Sequence, residues 1–215
     1  RTGTVWGIEE TRMVYESTYP AWSGTWGTSE SKVTTAVFDA SFKNYLPQST
    51  KFWFRNQKKL KKIEGLTNLN TSKVTTMYEM FYGCQNLTSL DLSNFKTENV
   101  QYMGAMFSRC YDLTSLNLSN FNTEKVENMH EMFCGCSSLS SLDLSNFYTE
   151  KVQDMSGMFG NNTSLRTIYC NNTWTCALSN EMFYNCTSLK GAVRYNANKE
   201  DVSMANPNTG YFTKK

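Results

Sequence analysis

The sequence predicts an α/β solenoid, with a parallel sheet of short strands on one side and short helices or turns on the other. Three observations lead there. A 26-residue unit starts at Leu87 as LTSLDLSNFKTENVQYMGAMFSRCYD, returns at Leu113 and returns again at Leu139. A fixed period of this length means stacked repeats, because one unit alone cannot bury its apolar face. Inside each unit a short leucine-rich outline, such as Leu87, Leu90 and Leu92, precedes a longer apolar run at Val100, Met103, Met106, Phe107 and Cys110. The first reads as a strand and the second, spaced at three and four, as one buried helical face. Finally, both ends lose the period, as the capping segments of a repeat array must.

Residues 1–32 hold Trp6, Trp22 and Trp26 among short β-type runs and a turn-rich AWSGTWGTSE, and are assigned as the N-terminal cap. The periodic region, 33–189, contains about six rungs. Its first copy is degenerate, with Trp53 and Phe54 standing in the slots that Met80 and Phe81 fill in the next copy. The step from Leu60 to Leu87 is one longer than the step from Val74 to Val100, so an extra residue is inserted near Glu64 and Gly65. An inserted residue would flip every side chain beyond it, so a bulge is expected there, eased by the glycine.

In the clean copies the L-x-x-L-x-L outline is that of a leucine-rich-repeat strand, repeated at Leu113, Leu116 and Leu118, at Leu139, Leu142 and Leu144, and at Leu165, Ile168 and Cys170. Phe95, Phe121 and Phe147 form a second inward column after Leu69. Asn68, Asn94, Asn120 and Asn146 run beside it and are expected to bond loop backbone between rungs, since an unpaired buried amide or carbonyl costs about 1–3 kcal/mol. Thr97, Thr123 and Thr149 read as helix N-caps, with Glu98, Glu124 and Glu150 in the first turn. Residues 190–215, polar but ending in Tyr211 and Phe212, are assigned as the C-terminal cap.

Seven cysteines do not suggest a disulfide framework. Cys84, Cys110, Cys136 and Cys186 share one slot, Cys170 replaces a leucine and Cys176 a valine, so these six read as small buried fillers. Stacked rungs place neighbouring Cα atoms about 4.8 Å apart, yet their side chains run parallel rather than toward one another. Only Cys134 lies off these columns, at a slot expected to be exposed.

These units resemble the BspA-like leucine-rich-repeat surface proteins. The likeness rests on LDLSNF at Leu90–Phe95, on the Thr-x-x-Val-x-x-Met-x-x-Met-Phe-x-x-Cys spine, on IEGLTNLNTSKV and on the GYFTKK ending. Asn162 in the cysteine slot and the extra Cys134 depart from the pattern. The resemblance implies a secreted or cell-surface bacterial protein of a host-associated microbe, tied to adhesion and anchored through a segment not in this chain. It supplies no catalytic residues.

Composition adds exclusions. Lys and Arg (21) nearly balance Asp and Glu (19), giving +2, which is no footprint for nucleic acid. Lys58, Lys59, Lys61 and Lys62 are the one basic cluster and read as a solvated edge. No apolar run reaches membrane-spanning length. Beginning at Arg1 rather than Met, the chain reads as a mature or trimmed product. No metal, cofactor or phosphate-loop pattern is present.

The expected function is therefore recognition without catalysis, by a monomer whose partner is a host extracellular protein or glycan. The outward strand slots, Ser89, Asp91 and Ser93 and their equivalents, hardly change between copies. The other side does change, and its candidate binding residues are Tyr78, Tyr82, Tyr102, Arg109, Tyr111, His130 and Tyr148, because Tyr and Arg dominate binding hot spots. Two alternatives stand beside this. The N-terminal tryptophans could stack on sugars, and Cys134, four residues after His130, could form a thiol hydrolase pair.

Overall fold

The computed structural model describes the backbone of residues 11–14 and 17–20 and all of residues 32–215. Trp6, Trp22 and Trp26 lie outside the described residues. Within the first segment, strands β1 (Thr11–Val14) and β2 (Ser17–Pro20) pair as an antiparallel hairpin.

From there on the strands are parallel and only two or three residues long. β3 (Thr35–Val37) pairs with β4 (Lys62–Glu64), and β5 (Ser89–Asp91) with β6 (Ser115–Asn117). β7 (Ser141–Asp143), β8 (Thr167–Tyr169) and β9 (Phe212–Thr213) form a three-stranded sheet. In β5–β6 the register Leu90↔Leu116 is the sequence repeat expressed in hydrogen bonds. The leucine-rich side is thus a series of small sheets, not the one continuous sheet expected.

Continuity lies on the opposite side, where helices were expected. Among the described residues there is no α-helix, only turns and three short 3₁₀ segments. The N–H groups of Met77, Glu79, Phe81 and Gly83 donate to the carbonyls of Tyr102, Gly104, Met106 and Ser108 in the next unit, at 2.8–3.0 Å. Met103, Ala105, Phe107 and Arg109 do the same to Asn128, His130, Met132 and Cys134 at 2.7–3.0 Å. The alternate N–H groups close turns within the unit, as in Met80 to Met77 and Tyr82 to Glu79. Parallel bridges run unbroken along this side from Ser49 through Thr76, Tyr102, Asn128 and Asp154 to Leu178.

Backbone handedness explains why no helix forms. Glu79, Ala105, Glu131, Gly157 and Glu181 all have positive φ, between 51° and 63°, and so do Gly83, Arg109, Gly135, Asn161 and Asn185, between 57° and 72°. Two left-handed residues per unit break the run of right-handed residues an α-helix needs and leave half the N–H groups to seek the next unit. The apolar spacing is nevertheless as read from the sequence. Val100, Met103, Met106, Phe107 and Cys110 are all fully buried.

The threonines are not N-caps. Thr71 Oγ1 donates to Lys96 O at 3.0 Å and accepts from Lys96 N at 2.8 Å. Thr97 and Thr123 repeat this double bond with residues 122 and 148, so each hydroxyl replaces a missing piece of strand pairing between units. The asparagines bond between units as expected. Asn68, Asn94 and Asn146 donate to the carbonyls of Phe38, Leu66 and Phe121 at 2.9, 2.9 and 2.7 Å.

Inside, identical residues stack in columns. Phe54, Phe81, Phe107, Phe133, Phe159 and Phe183 form one stack with centroids 5.3–5.8 Å apart and planes within 13° of parallel. It ends edge-on at both extremes, against Phe38 (6.0 Å, 85°) and Tyr211 (5.2 Å, 81°). All seven cysteines are free. The thiols of Cys84, Cys110 and Cys136 donate to the carbonyls of Phe54, Phe81 and Phe107 at 3.1–3.2 Å. Where the slot holds Asn162, its Nδ2 bonds Phe133 O at 2.9 Å, so the substitution preserves the contact.

The inserted residue is absorbed without a strand bulge. β4 stays in register through Val37↔Glu64, and Gly65, at φ +71°, starts a left-handed turn into the 3₁₀ segment Leu66–Asn68. A Cβ there would sit 2.1 Å from Phe38 O, the carbonyl that also receives Asn68. Gly65→Ala is therefore expected to cost about 2–3 kcal/mol, from the left-handed penalty and the forced retreat of the first unit. An unfolding free energy, from urea denaturation, within about 0.5 kcal/mol of wild type would contradict this.

Candidate recognition groove

The two long faces differ in how much of their chemistry is already spent. On the strand face Asp91 Oδ1 accepts from Ser93 N (3.0 Å) and Asn117 Nδ2 (2.9 Å), and Asn117 Oδ1 accepts from Ser119 N (3.1 Å). Asp143 accepts from Ser145 and pairs with Lys215. This strip is small, polar and engaged with itself.

The opposite face carries a groove of about 330 Å³ lined by Lys51, Thr76, Tyr78, Tyr102, Asn128 and His130. The bridge register puts Thr76, Tyr102 and Asn128 side by side from three consecutive units. Two positions further along the chain are Tyr78, Gly104 and His130. Gly104 has no side chain to fill its place, and the Tyr78 and His130 rings approach across it to 5.7 Å. A Cβ on Gly104 would lie 2.7 Å from both Nδ1 and Cε1 of His130. The glycine thus creates the notch that lets two units touch over a third.

Each wall is fixed differently. Burial, with the charge and hydrogen bond of Glu79, pushes the Tyr78 phenol up to about 12. Glu79 is itself held by Arg55 in a largely buried ion pair. His130 is held by its neighbour two residues back. Its backbone N–H (3.2 Å) and its Nδ1 (2.6 Å) both meet Asn128 Oδ1, and since the backbone group can only donate, that atom is the amide oxygen and Nδ1 carries the proton. Lys51 Nζ sits 4.6 Å from the Phe52 ring centroid and 5.4 Å from that of Tyr78. Tyr102 is the open wall, 46% exposed.

Of the seven residues singled out from the sequence, Tyr78, Tyr102 and His130 meet in this groove. Tyr82 is buried, with the guanidiniums of Arg55 (5.1 Å) and Arg109 (5.4 Å) over its ring. Tyr111 and Tyr148 are exposed but do not line the groove. Lys51, Thr76 and Asn128 escaped sequence reasoning. Aligning the degenerate first copy would have found Lys51, which holds the Tyr78 slot one copy earlier.

No thiol–imidazole pair is assembled. His130 Nδ1 is engaged by Asn128, and burial together with the Glu131 charge pushes the Cys134 thiol up, away from the nucleophilic thiolate. Cys134 is also half-buried rather than exposed. Among the described residues no cluster of His, Cys, Asp or Glu could hold a metal ion, and no helix is long and apolar enough to cross a membrane.

Short parallel strands, units bonded in the register of the sequence repeat and a shallow aromatic groove define a repeat-built scaffold. The chain belongs to the family described as "Mycoplasma protein of unknown function, DUF285", whose model matches residues 48–174 and 112–209. A solved leucine-rich repeat protein from Bacteroides ovatus is similar at 19% identity with a TM-score of 0.33, over 86% of this chain and 61% of that one. The chain therefore spans about three fifths of that protein's length. No curated protein matches it.

Proposed function

We propose that the chain is a capped leucine-rich-repeat solenoid, BspA-like in kind, that acts without catalysis as a secreted or bacterial cell-surface recognition module. Its partner is a host extracellular protein or glycan, held as an adhesion contact by the monomer. The caps are residues 1–32 and 190–215. One observation carries the binding face. Tyr78, Tyr102, His130 and Lys51 form a groove on a surface where nearly every repeated residue is committed to packing or to bonds between units.

Tyr102 is the variant of choice, because it is exposed and its loss removes no core contact. Tyr102→Ala should weaken capture of extracellular-matrix proteins or arrayed glycans about tenfold or more, the effect of losing an aromatic hot spot, with thermal unfolding unchanged. Binding equal to wild type would remove this face as the site.

A further inference from the structure

The groove's donor and acceptor pattern narrows what it can hold, and the following rests on the recognition reading above. Asn128 Oδ1 is used twice by His130, so the amide presents only its Nδ2 donor to a ligand. Lys51 adds an ammonium that makes no salt bridge among the described residues. Glu79, the carboxylate that bonds Tyr78, is occupied by Arg55 and Tyr78. Glu131 does not line the groove. The unspent polar groups are thus the Asn128 Nδ2 donor, the Lys51 cation and the acceptor Nε2 of His130, set beside the open ring of Tyr102. They call for an anion or strong acceptor attached to a body with an apolar face.

A peptide strand is a poor fit to this floor. Main-chain recognition needs free N–H and C=O groups along an edge. Here the N–H groups of Met77, Glu79, Met103 and Ala105 are all bonded to the next unit, and those of Tyr78 and His130 to the side chains of Thr76 and Asn128. A sugar ring needs no backbone edge. Its C–H face can lie on an aromatic ring while its substituents take side-chain hydrogen bonds. The volume of about 330 Å³ is at the lower end of small-molecule sites and suits one ring-sized group.

We propose that the Tyr78–Tyr102–His130 groove is a subsite for a pyranose bearing a carboxylate, with the ring on Tyr102, the carboxylate on Lys51 and Asn128 Nδ2, and a hydroxyl donating to His130 Nε2. The test titrates the full chain, by calorimetry, with glucuronate-terminated oligosaccharides and with the same oligosaccharides after reduction of the carboxyl to an alcohol. The acid form should bind about tenfold more tightly than the neutral one, the worth of a charge-assisted contact. Lys51→Met should erase that preference, and Tyr102→Ala should abolish binding of both forms, each variant keeping the wild-type melting temperature. Equal affinity for acid and neutral forms, or no binding of either, overturns the proposal. If neither saccharide binds or competes while Tyr102→Ala still abolishes capture of a protein or an acidic peptide, the saccharide assignment falls and the recognition face stands. If Tyr102→Ala changes no binding at all, both fall.

Discussion

Stability is expected to fall steeply once the pH passes about 9, and buried thiols are the cause. Burial raises Cys84, Cys110 and Cys136 well above the ordinary thiol range and Cys186 to about 12. Each is an acid whose native pKa exceeds its unfolded one. The native state keeps its protons while the unfolded chain has released them, so the stabilisation is complete below about pH 8.5 and is lost as pH climbs toward the native value. The slope is about 1.4 kcal/mol per pH unit for each thiol, or roughly 5 kcal/mol per unit for four acting together. Against a total of about 5–15 kcal/mol, one to three pH units suffice to unfold the protein. Urea denaturation at pH 7.5, 8.5 and 9.5 isolates the thiols before most tyrosines ionise. Cys136→Ala should cut the slope by about a quarter even if it lowers the starting value. A midpoint constant from pH 8 to 9.5 would sink the idea.

Phe107→Ala is expected to cost about 3–5 kcal/mol, a large share of the total. The ring is fully buried and stacked on Phe81 and Phe133, each 5.7 Å away. Removing it leaves a cavity in the middle of a packed column, and it breaks both stacked contacts, about 0.5–1.5 kcal/mol apiece. In a stack where units touch only their neighbours, a gap in the middle also weakens coupling between the two sides. Denaturation monitored by circular dichroism should therefore shift to lower urea and broaden. A loss under about 1.5 kcal/mol would mean that the column is not the principal core.

The columns were legible because they depend on side-chain class alone. Leucine, methionine, cysteine and asparagine slots recur once per repeat, and Leu87, Met103, Cys110 and Asn94 are buried or bonded as their slots imply. The helix was misread because Val100, Met103, Met106 and Phe107 satisfy a helical spacing and a run of left- and right-handed turns equally well. The sign that separates them was present. Gly83, Gly135, Asn161 and Asn185, the residue types that tolerate positive φ, recur at one slot inside the supposed helix. The groove was half legible. Its tyrosines and histidine stood out as copies that disagree, whereas Gly104 announces itself only once the rings of the flanking units are seen to meet above it.

The bonds between units have a genetic consequence. Thr71, Thr97 and Thr123 each close on the following copy, and Cys84, Cys110 and Cys136 each on the preceding one. These copies present the same donors and acceptors to whichever copy lies beside them. Unequal recombination that adds or removes one whole unit therefore joins matching surfaces and needs no compensating substitution, whereas loss of a fraction of a unit breaks every column at once.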